Sequence, residues 1–285
     1  MTGASILLVG AGGMLGRDLA AALRGRAVLA LTRAELDVTD AAAVQRAVDG
    51  RDVVINATAY TRVDDAESNE DAASAVNAIA PGILAAASAS AGARLVHVST
   101  DYVFDGTATT PYREDALRNP VSAYGRTKAE GEERVLAEHG DGSASVRTAW
   151  LYGEHGVSFP ATMLRLAGER ETLTVVDDQR GQPTWSRDLA ERIVELVDLG
   201  TPDGIFHGTN AGATTWFGFA REVFSLAGLD PERIQPTDSA AYQRPAPRPA
   251  YSVLGHDEWA RIGLAPMRDW HAAISAAMAA GIFQR

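Results

Sequence analysis

The chain has no cysteine, and Lys128 is its single lysine beside 25 arginines. The first absence excludes disulfides, thiolate nucleophiles and cysteine-ligated zinc. The second singles out one position, because an ammonium is a compact point charge and a guanidinium a broad planar fork. There is no signal-peptide pattern and no unbroken run of 18 apolar residues, so the expectation is a cytoplasmic protein with no membrane partner. There is no basic excess either. The net charge is −11, which leaves no electrostatic footprint for nucleic acid. The six histidines, His97, His139, His155, His207, His256 and His271, show no i, i+4 ligand spacing, and no catalytic metal is expected. Repeats and low-complexity linkers are missing as well. A chain of 285 residues, 46% hydrophobic, can bury one large core or two unequal ones.

What is present begins with an apolar run, Ile6-Leu7-Leu8-Val9, that stops in Gly10-Ala-Gly-Gly-Met-Leu-Gly16 and continues as a helical pattern. This predicts strand, glycine turn and helix. Gly10 allows a tight turn, Gly13 a close backbone approach to a pyrophosphate, and Gly16 close packing of helix on strand. Further short apolar runs at 27–31, 52–55, 95–98 and 145–149 alternate with helical stretches, the signature of a parallel sheet. The fold expected is α/β, a Rossmann-type doubly wound parallel sheet spanning 1–150 and rejoined by about 185–208. A smaller C-terminal α/β substrate-binding domain would occupy most of 151–285. Pro81 predicts an interruption or a helix start near 77–81. Trp216, Phe219 and Phe224 recur at helical spacing and read as core.

Two positions after the second strand bear on the cofactor. Arg33 stands where an adenosine ribose meets a dinucleotide fold and could pair with a 2′-phosphate, which favours NADPH over NADH; a solvated surface arginine is the alternative. Asp37 could accept from the adenine amine or could simply close a turn.

In Ser122-Ala-Tyr-Gly-Arg-Thr-Lys-Ala-Glu130, Tyr124 and Lys128 lie one helical turn apart on one face. A cation ~4 Å from a phenol at an effective dielectric of ~20 contributes roughly 4 kcal/mol, which would draw the phenol toward neutral pH and make it a better general acid. Thr100, after the fourth strand, could hold a carbonyl oxygen for protonation. Tyr102 and Phe104 would supply apolar walls, and the long loop 105–120 would cover the site.

These segments together resemble the extended short-chain dehydrogenase/reductases, and within them the dTDP-4-dehydrorhamnose reductase group. The resemblance runs over nearly the whole chain. It rests on Gly10 to Gly16, Asn56-Ala-Thr-Ala-Tyr-Thr-Arg-Val-Asp-Asp-Ala-Glu67, Ser99-Thr-Asp-Tyr-Val-Phe104, the Tyr124 segment, Arg147-Thr-Ala-Trp150, Asp178-Gln-Arg-Gly-Gln-Pro-Thr184 and Arg248-Pro-Ala-Tyr-Ser-Val-Leu254. It implies Thr100, Tyr124 and Lys128 as catalytic residues, with Asp101 and Trp150 near a sugar nucleotide. Implied cofactor contacts fall on Gly13, Met14, Leu15, Asp37, Val38, Thr58, Ala59 and Tyr60, and Tyr124 and Lys128 would meet the cofactor as well, Lys128 through a hydroxyl of the nicotinamide ribose. Some members dimerise through acidic residues and magnesium; Asp18 matches one such position, whereas Arg187 stands where an acid is wanted. Monomer and homodimer both remain open. The implied reaction is NAD(P)H-dependent reduction of the C4 keto group of dTDP-4-dehydro-6-deoxy-L-mannose to dTDP-L-rhamnose. The alternatives are a 4-ketoreductase for another dTDP-4-keto-6-deoxysugar and a non-catalytic NADP-binding regulatory subunit.

Overall fold

A computed structural model describes residues 3–283. Its main sheet is built from β1 (Ile6–Val9), β2 (Val28–Leu31), β3 (Val53–Asn56), β4 (Arg94–Thr100) and β5 (Ser143–Thr148). The helices between them are α1 (Met14–Ala22), α2 (Ala41–Val48), α3 (Val63–Ala66), α4 (Glu70–Ser74), α5 (Ala80–Ala91) and α6 (Ala123–His139). Beyond β5 come β6 (Leu151–Tyr152), α7 (Phe159–Ala167), β7 (Leu173–Val176), β8 (Arg180–Gly181), β9 (Thr184–Trp185) and α8 (Ser186–Asp198). The chain then continues through β10 (Gly204–His207), β11 (Thr214–Thr215), α9 (Trp216–Leu226), β12 (Ile234–Thr237), α10 (Asp257–Arg261) and α11 (Trp270–Ala279).

The six-stranded sheet has the order β10-β5-β4-β3-β1-β2, and every pairing in it is parallel. A parallel sheet is covered on both faces, so its strands read as near-continuous apolar runs. In β1, Ile6 and Leu8 face a core shared with α1 and α8, while Leu7 and Val9 face the opposite core shared with α2 and α5. The strand order reverses beside β1, and the crevice at the carboxyl ends there is where an open α/β sheet takes its ligand. After its excursion the chain returns to the sheet through α8 and β10. A second apolar cluster, with Met163, Trp185, Phe219, Phe224, Trp270 and Ile274, holds the smaller C-terminal layer together.

Between α4 and α5 the backbone makes a π turn over Ala75–Ile79, and Pro81 sits in the first turn of α5. Proline lacks the N–H an uninterrupted helix would need, so the helical path is adjusted just ahead of it. Despite the expectation from unbroken apolar runs, the continuous helical path Glu70–Ala91 is long and apolar enough to cross a membrane by length and composition. Its buried Leu84 and Ala85 are part of the core under the sheet, which accounts for that composition.

Gly16 shows how tightly the first turn is built. A Cβ added there would lie 2.1 Å from the Gly10 carbonyl oxygen, so helix and turn would have to separate. Gly16→Ala is therefore expected to destabilise the protein by about 1–3 kcal/mol, read as a lower denaturation midpoint in urea at unchanged slope.

Candidate active site

The carboxyl ends of β1, β3, β4 and β5 open into a cleft of ≈ 870 Å³. On one wall Gly10 turns at φ +83°, and a Cβ on it would meet the Ala57 backbone at 2.8 Å, so the glycine turn lies directly against the end of β3. Gly13 caps α1, and Gly13, Met14 and Leu15 line the cleft at the helix N-terminus, where backbone N–H groups and the helix dipole favour a phosphate. Arg17, one turn into α1, lines the same wall and donates to the Gly12 carbonyl at 3.2 Å. Its signal in the sequence is a cation immediately after the glycine turn.

Thr58 and Ala59 form the neighbouring wall. Two buried asparagines hold this segment at its ends. Asn56 Oδ1 accepts from the Thr58 N–H at 3.0 Å and hydroxyl at 2.6 Å, and its amide group meets Nδ1 of buried His97 at 3.1 Å. Asn77, brought round by the π turn, accepts from the Tyr60 N–H at 2.8 Å and donates to the Tyr60 carbonyl and the Thr127 hydroxyl, both at 3.2 Å. The Tyr60 hydroxyl is tied to Asp65 on α3, and its ring lies beside Arg62. Arg33, Asp37 and Val38 lie apart from the cleft walls, around the exposed end of β2, where the Asp37 carboxylate accepts from the N–H and hydroxyl of Thr39 at 2.9 and 2.7 Å.

The catalytic candidates meet at the far wall. The Ser122 hydroxyl caps α6 by accepting from the Gly125 N–H at 3.1 Å. A Cβ on Gly125 would fall 2.2 Å from the Tyr102 carbonyl oxygen, so the segment after β4 is seated directly on the helix. Tyr102 meets Tyr124 edge to face, with ring centroids 5.6 Å apart. Burial pushes the Tyr124 phenol up to about 12, against a hydrogen bond with the Thr100 hydroxyl; the nearby Asp101 charge adds to the rise. Thr100 also donates to Asp101 at 3.0 Å, and burial pushes that carboxyl up to about 6.

Lys128 is 1% exposed, and its ammonium donates to the Val98 carbonyl at 2.6 Å. Burial brings it down to about 8, with Glu132 opposing. This corrects the expected lowering of the phenol. Helical spacing puts Tyr124 and Lys128 on one face, but the ammonium is directed to the β4 backbone, and desolvation dominates the phenol. One turn further, Glu132 is 3% exposed, and burial alone would raise its carboxyl. The Arg147 guanidinium, bonded to it at 2.9 and 2.8 Å, instead holds it below the usual range. Glu132 is thus a fixed anion behind Lys128. Nothing local in the sequence marked it, because its partner lies on another element.

The charge on Lys128 is present below about pH 8 and lost above it. The phenol stays protonated across that range. Accordingly, kcat/KM for a reaction that uses the ammonium is expected to fall as pH rises through about 8. A pH–rate profile on the free enzyme checks this, and a level alkaline limb to about pH 10, the ordinary lysine range, contradicts it.

The residues expected near a sugar nucleotide divide. Asp101 is buried beside Thr100, and Tyr102 is half-buried against Tyr124. Trp150 adopts φ 45°, uncommon for a bulky side chain, at the exit of β5. Its indole stacks on Trp216, with centroids 3.6 Å apart and planes within 9°, and a Cβ on Gly181 would meet it at 2.6 Å. Trp216 therefore belongs to an aromatic stack at the mouth of β5 as well as to the core, unlike buried Phe219 and Phe224. Phe104 is no wall of the site. It is fully buried, stacked on Tyr112 at 4.1 Å and covered by Arg147. Asp18 accepts from the Ser186 hydroxyl at 2.5 Å with Arg187 nearby. Among the described residues no group of three or more His, Asp or Glu side chains could hold a metal ion.

A parallel sheet with a glycine turn after β1, and a Tyr-x-x-x-Lys pair on the helix following β4, defines a short-chain dehydrogenase/reductase fold. More narrowly, the chain belongs to the family described as the RmlD substrate binding domain, whose model matches residues 4–282. It is 50% identical over 275 residues to dTDP-4-keto-6-deoxy-D-glucose reductase of Streptomyces niveus, covering 95% of each chain. It is also 50% identical over 277 residues to dTDP-4-dehydrorhamnose reductase of Streptomyces griseus, covering 94% of this chain and 91% of that one. Among solved structures, dTDP-4-dehydrorhamnose reductase of Bacillus anthracis in complex with NADP superposes with a TM-score of 0.94 at 35% identity, over 98% and 99% of the two chains.

Proposed function

We propose that this protein reduces the C4 keto group of dTDP-4-dehydrorhamnose to give dTDP-L-rhamnose, using NADPH or NADH. The observation that carries the reading is the convergence of Thr100, Tyr124 and Lys128 beside the cleft whose opposite wall is the glycine turn. The cleft fits a dinucleotide on its own chemistry. It has a helix N-terminus for phosphates, small residues at the end of β3, and in its wall the buried Thr148 hydroxyl, which has no partner among the described residues.

When bound, the reduced nicotinamide supplies hydride to the carbonyl carbon. The chain's own residues do the rest. Gly13, Met14 and Leu15 would hold the diphosphate end, and Thr58 and Ala59, which line the same cleft, would flank the cofactor. The Tyr124 phenol, kept neutral by burial, gives its proton to the oxygen that becomes the alcohol; an alkoxide is the stronger base, so the transfer runs toward the sugar. Thr100 bonds the phenol and positions that oxygen, and the Lys128 ammonium, held on the Val98 carbonyl one helical turn away, adds a positive charge to the site as the phenolate forms. Asp101, Tyr102 and Trp150 are assigned to the sugar nucleotide. Arg33, Asp37 and Val38 are assigned to the adenosine end, Tyr60 to the segment between, and Gly10 to the turn itself. This reading places the enzyme in the cytoplasm as a monomer or homodimer.

A second reading is favoured by the Streptomyces niveus relative, which matches equally well and is named for a different keto sugar. Purified protein given freshly made dTDP-4-dehydrorhamnose or dTDP-4-keto-6-deoxy-D-glucose, with loss of reduced-nicotinamide absorbance followed and the products identified by NMR, separates the two. Faster turnover of dTDP-4-dehydrorhamnose to dTDP-L-rhamnose is the expected result. Preference for the D-glucose derivative moves the assignment to the second reading, and no turnover of either overturns both.

A further inference from the structure

Trp150 stands two residues after Thr148 of the cofactor cleft, and its backbone adopts φ 45°. A bulky residue keeps such a conformation only where its surroundings over-determine it. Two of those surroundings come from one place. Strands β8 and β11 pair antiparallel, Gly181 with Thr214 and Arg180 with Thr215, so Gly181 and the neighbouring Trp216 are carried to the indole together. Gly181 leaves room for the indole edge, since a Cβ there would meet Cε2 at 2.6 Å. Trp216 covers the indole face, with centroids 3.6 Å apart and planes within 9°.

Trp216 is itself anchored. It opens α9, which the Thr215 hydroxyl caps by accepting from the Gly218 N–H at 3.0 Å. Its ring leans on Phe159, with centroids 4.7 Å apart, and its indole N–H donates to Gln179 Oε1 at 3.2 Å. The Gln179 amide donates in turn to the Ser239 hydroxyl at 2.8 Å, and that hydroxyl to Asp178 at 2.7 Å. The stack supplies contact area, and the hydrogen bond at the ring edge fixes the offset of the two rings. Both tryptophans are half-buried, and neither is in the walls of the cofactor cleft. We propose that Trp216 is a positioning residue for the sugar nucleotide, fixing the Trp150 indole through their stack, with Gln179 locking Trp216 in turn. The inference rests on the assignment of Trp150 to the sugar nucleotide above. An aromatic wall fixed in advance need not be ordered when the ligand arrives. Without the stack Trp150 must be ordered on binding, so affinity for the sugar nucleotide falls and affinity for NADPH does not.

Double-mutant cycles test this, because a residue that acts through another loses its effect once that other is gone. Wild-type protein, Trp150→Ala, Trp216→Leu, Trp216→Phe, Gln179→Leu, and Trp150→Ala combined with Trp216→Leu or Gln179→Leu are titrated by calorimetry, with NADPH alone and, when saturated with NADP+, with dTDP-L-rhamnose. Trp216→Leu is expected to weaken dTDP-L-rhamnose roughly tenfold, the order of one lost aromatic pair, and Gln179→Leu about threefold, with NADPH changed less than about twofold by either. Trp216→Phe keeps the stack and should restore most of the affinity. In the Trp150→Ala background both losses should shrink below about twofold. Gln179 is half-buried, and its cycle reads the same coupling if Trp216→Leu does not fold. Undiminished losses in the Trp150→Ala background overturn the inference and leave the proposed reduction standing. So does a sugar-nucleotide affinity that the Gln179 and Trp216 variants do not move, or a Trp150→Ala that binds as tightly as the wild type. A wild type that binds NADPH but not dTDP-L-rhamnose overturns both.

Discussion

Tyr124→Phe is expected to lose about 10²–10⁴-fold in kcat, the range set by removal of a positioned general acid, while its affinity for NADPH changes by less than about twofold. The substitution removes one oxygen and keeps the ring. The edge-to-face contact with Tyr102 survives, and the α6 cap at Ser122 is untouched. Burial keeps the phenol neutral in the wild type, so no ionised form disappears with the hydroxyl; what disappears is the proton itself and the bond to Thr100. Steady-state kinetics beside a cofactor titration separates these effects. Near-normal reduction by the variant would remove Tyr124 from the chemistry. Loss of cofactor binding together with turnover would make it a structural residue.

Lys128→Arg should fail almost as badly although it conserves charge. The ammonium is 1% exposed, bonded to the Val98 carbonyl at 2.6 Å and backed by Glu132. A guanidinium is planar and broader, and its donors are fixed in a fork that cannot serve a single carbonyl and a ligand hydroxyl as three rotating ammonium protons can. Loss of about 10²–10³-fold in kcat is expected, the cost of one prearranged donor at a developing charge. Because a guanidinium does not titrate below about pH 12, whatever activity remains should lose the alkaline fall of the wild type. That pH response distinguishes a catalytic cation from a packing residue, since simple overpacking would lower the rate and leave the fall in place. Wild-type kinetics in this variant would make the lone lysine an accident of composition.

The parts of the site legible in the sequence are those whose partners are close along the chain. The glycine turn, the Tyr124 and Lys128 face of α6 and the break before Pro81 each follow from local spacing and backbone chemistry, and the parallel strands follow from short apolar runs between helical stretches. Pairings across the fold stayed hidden. Asn77 secures Tyr60 only because a π turn rotates it inward, Arg147 reaches Glu132 from a neighbouring strand, and Trp216 finds Trp150 across the smaller layer. The phenol shows the limit most clearly. Spacing placed a cation on its face of the helix, but whether that cation lowers the phenol depends on where the ammonium points and how dry the site is, and both are tertiary properties. Phe104 went the same way, since an aromatic four residues after Thr100 can face the site or the core, and here it faces the core.

The central claim is that hydride arrives at C4 of the sugar nucleotide while Tyr124 protonates the oxygen. Turnover of dTDP-4-dehydrorhamnose with NADPH carrying deuterium at the transferable position of its nicotinamide, followed by NMR of the sugar, tests it most directly. The account predicts one deuterium at C4 of dTDP-L-rhamnose and none elsewhere on the ring. A reduced sugar without deuterium at C4, or with the label at another carbon, would contradict it.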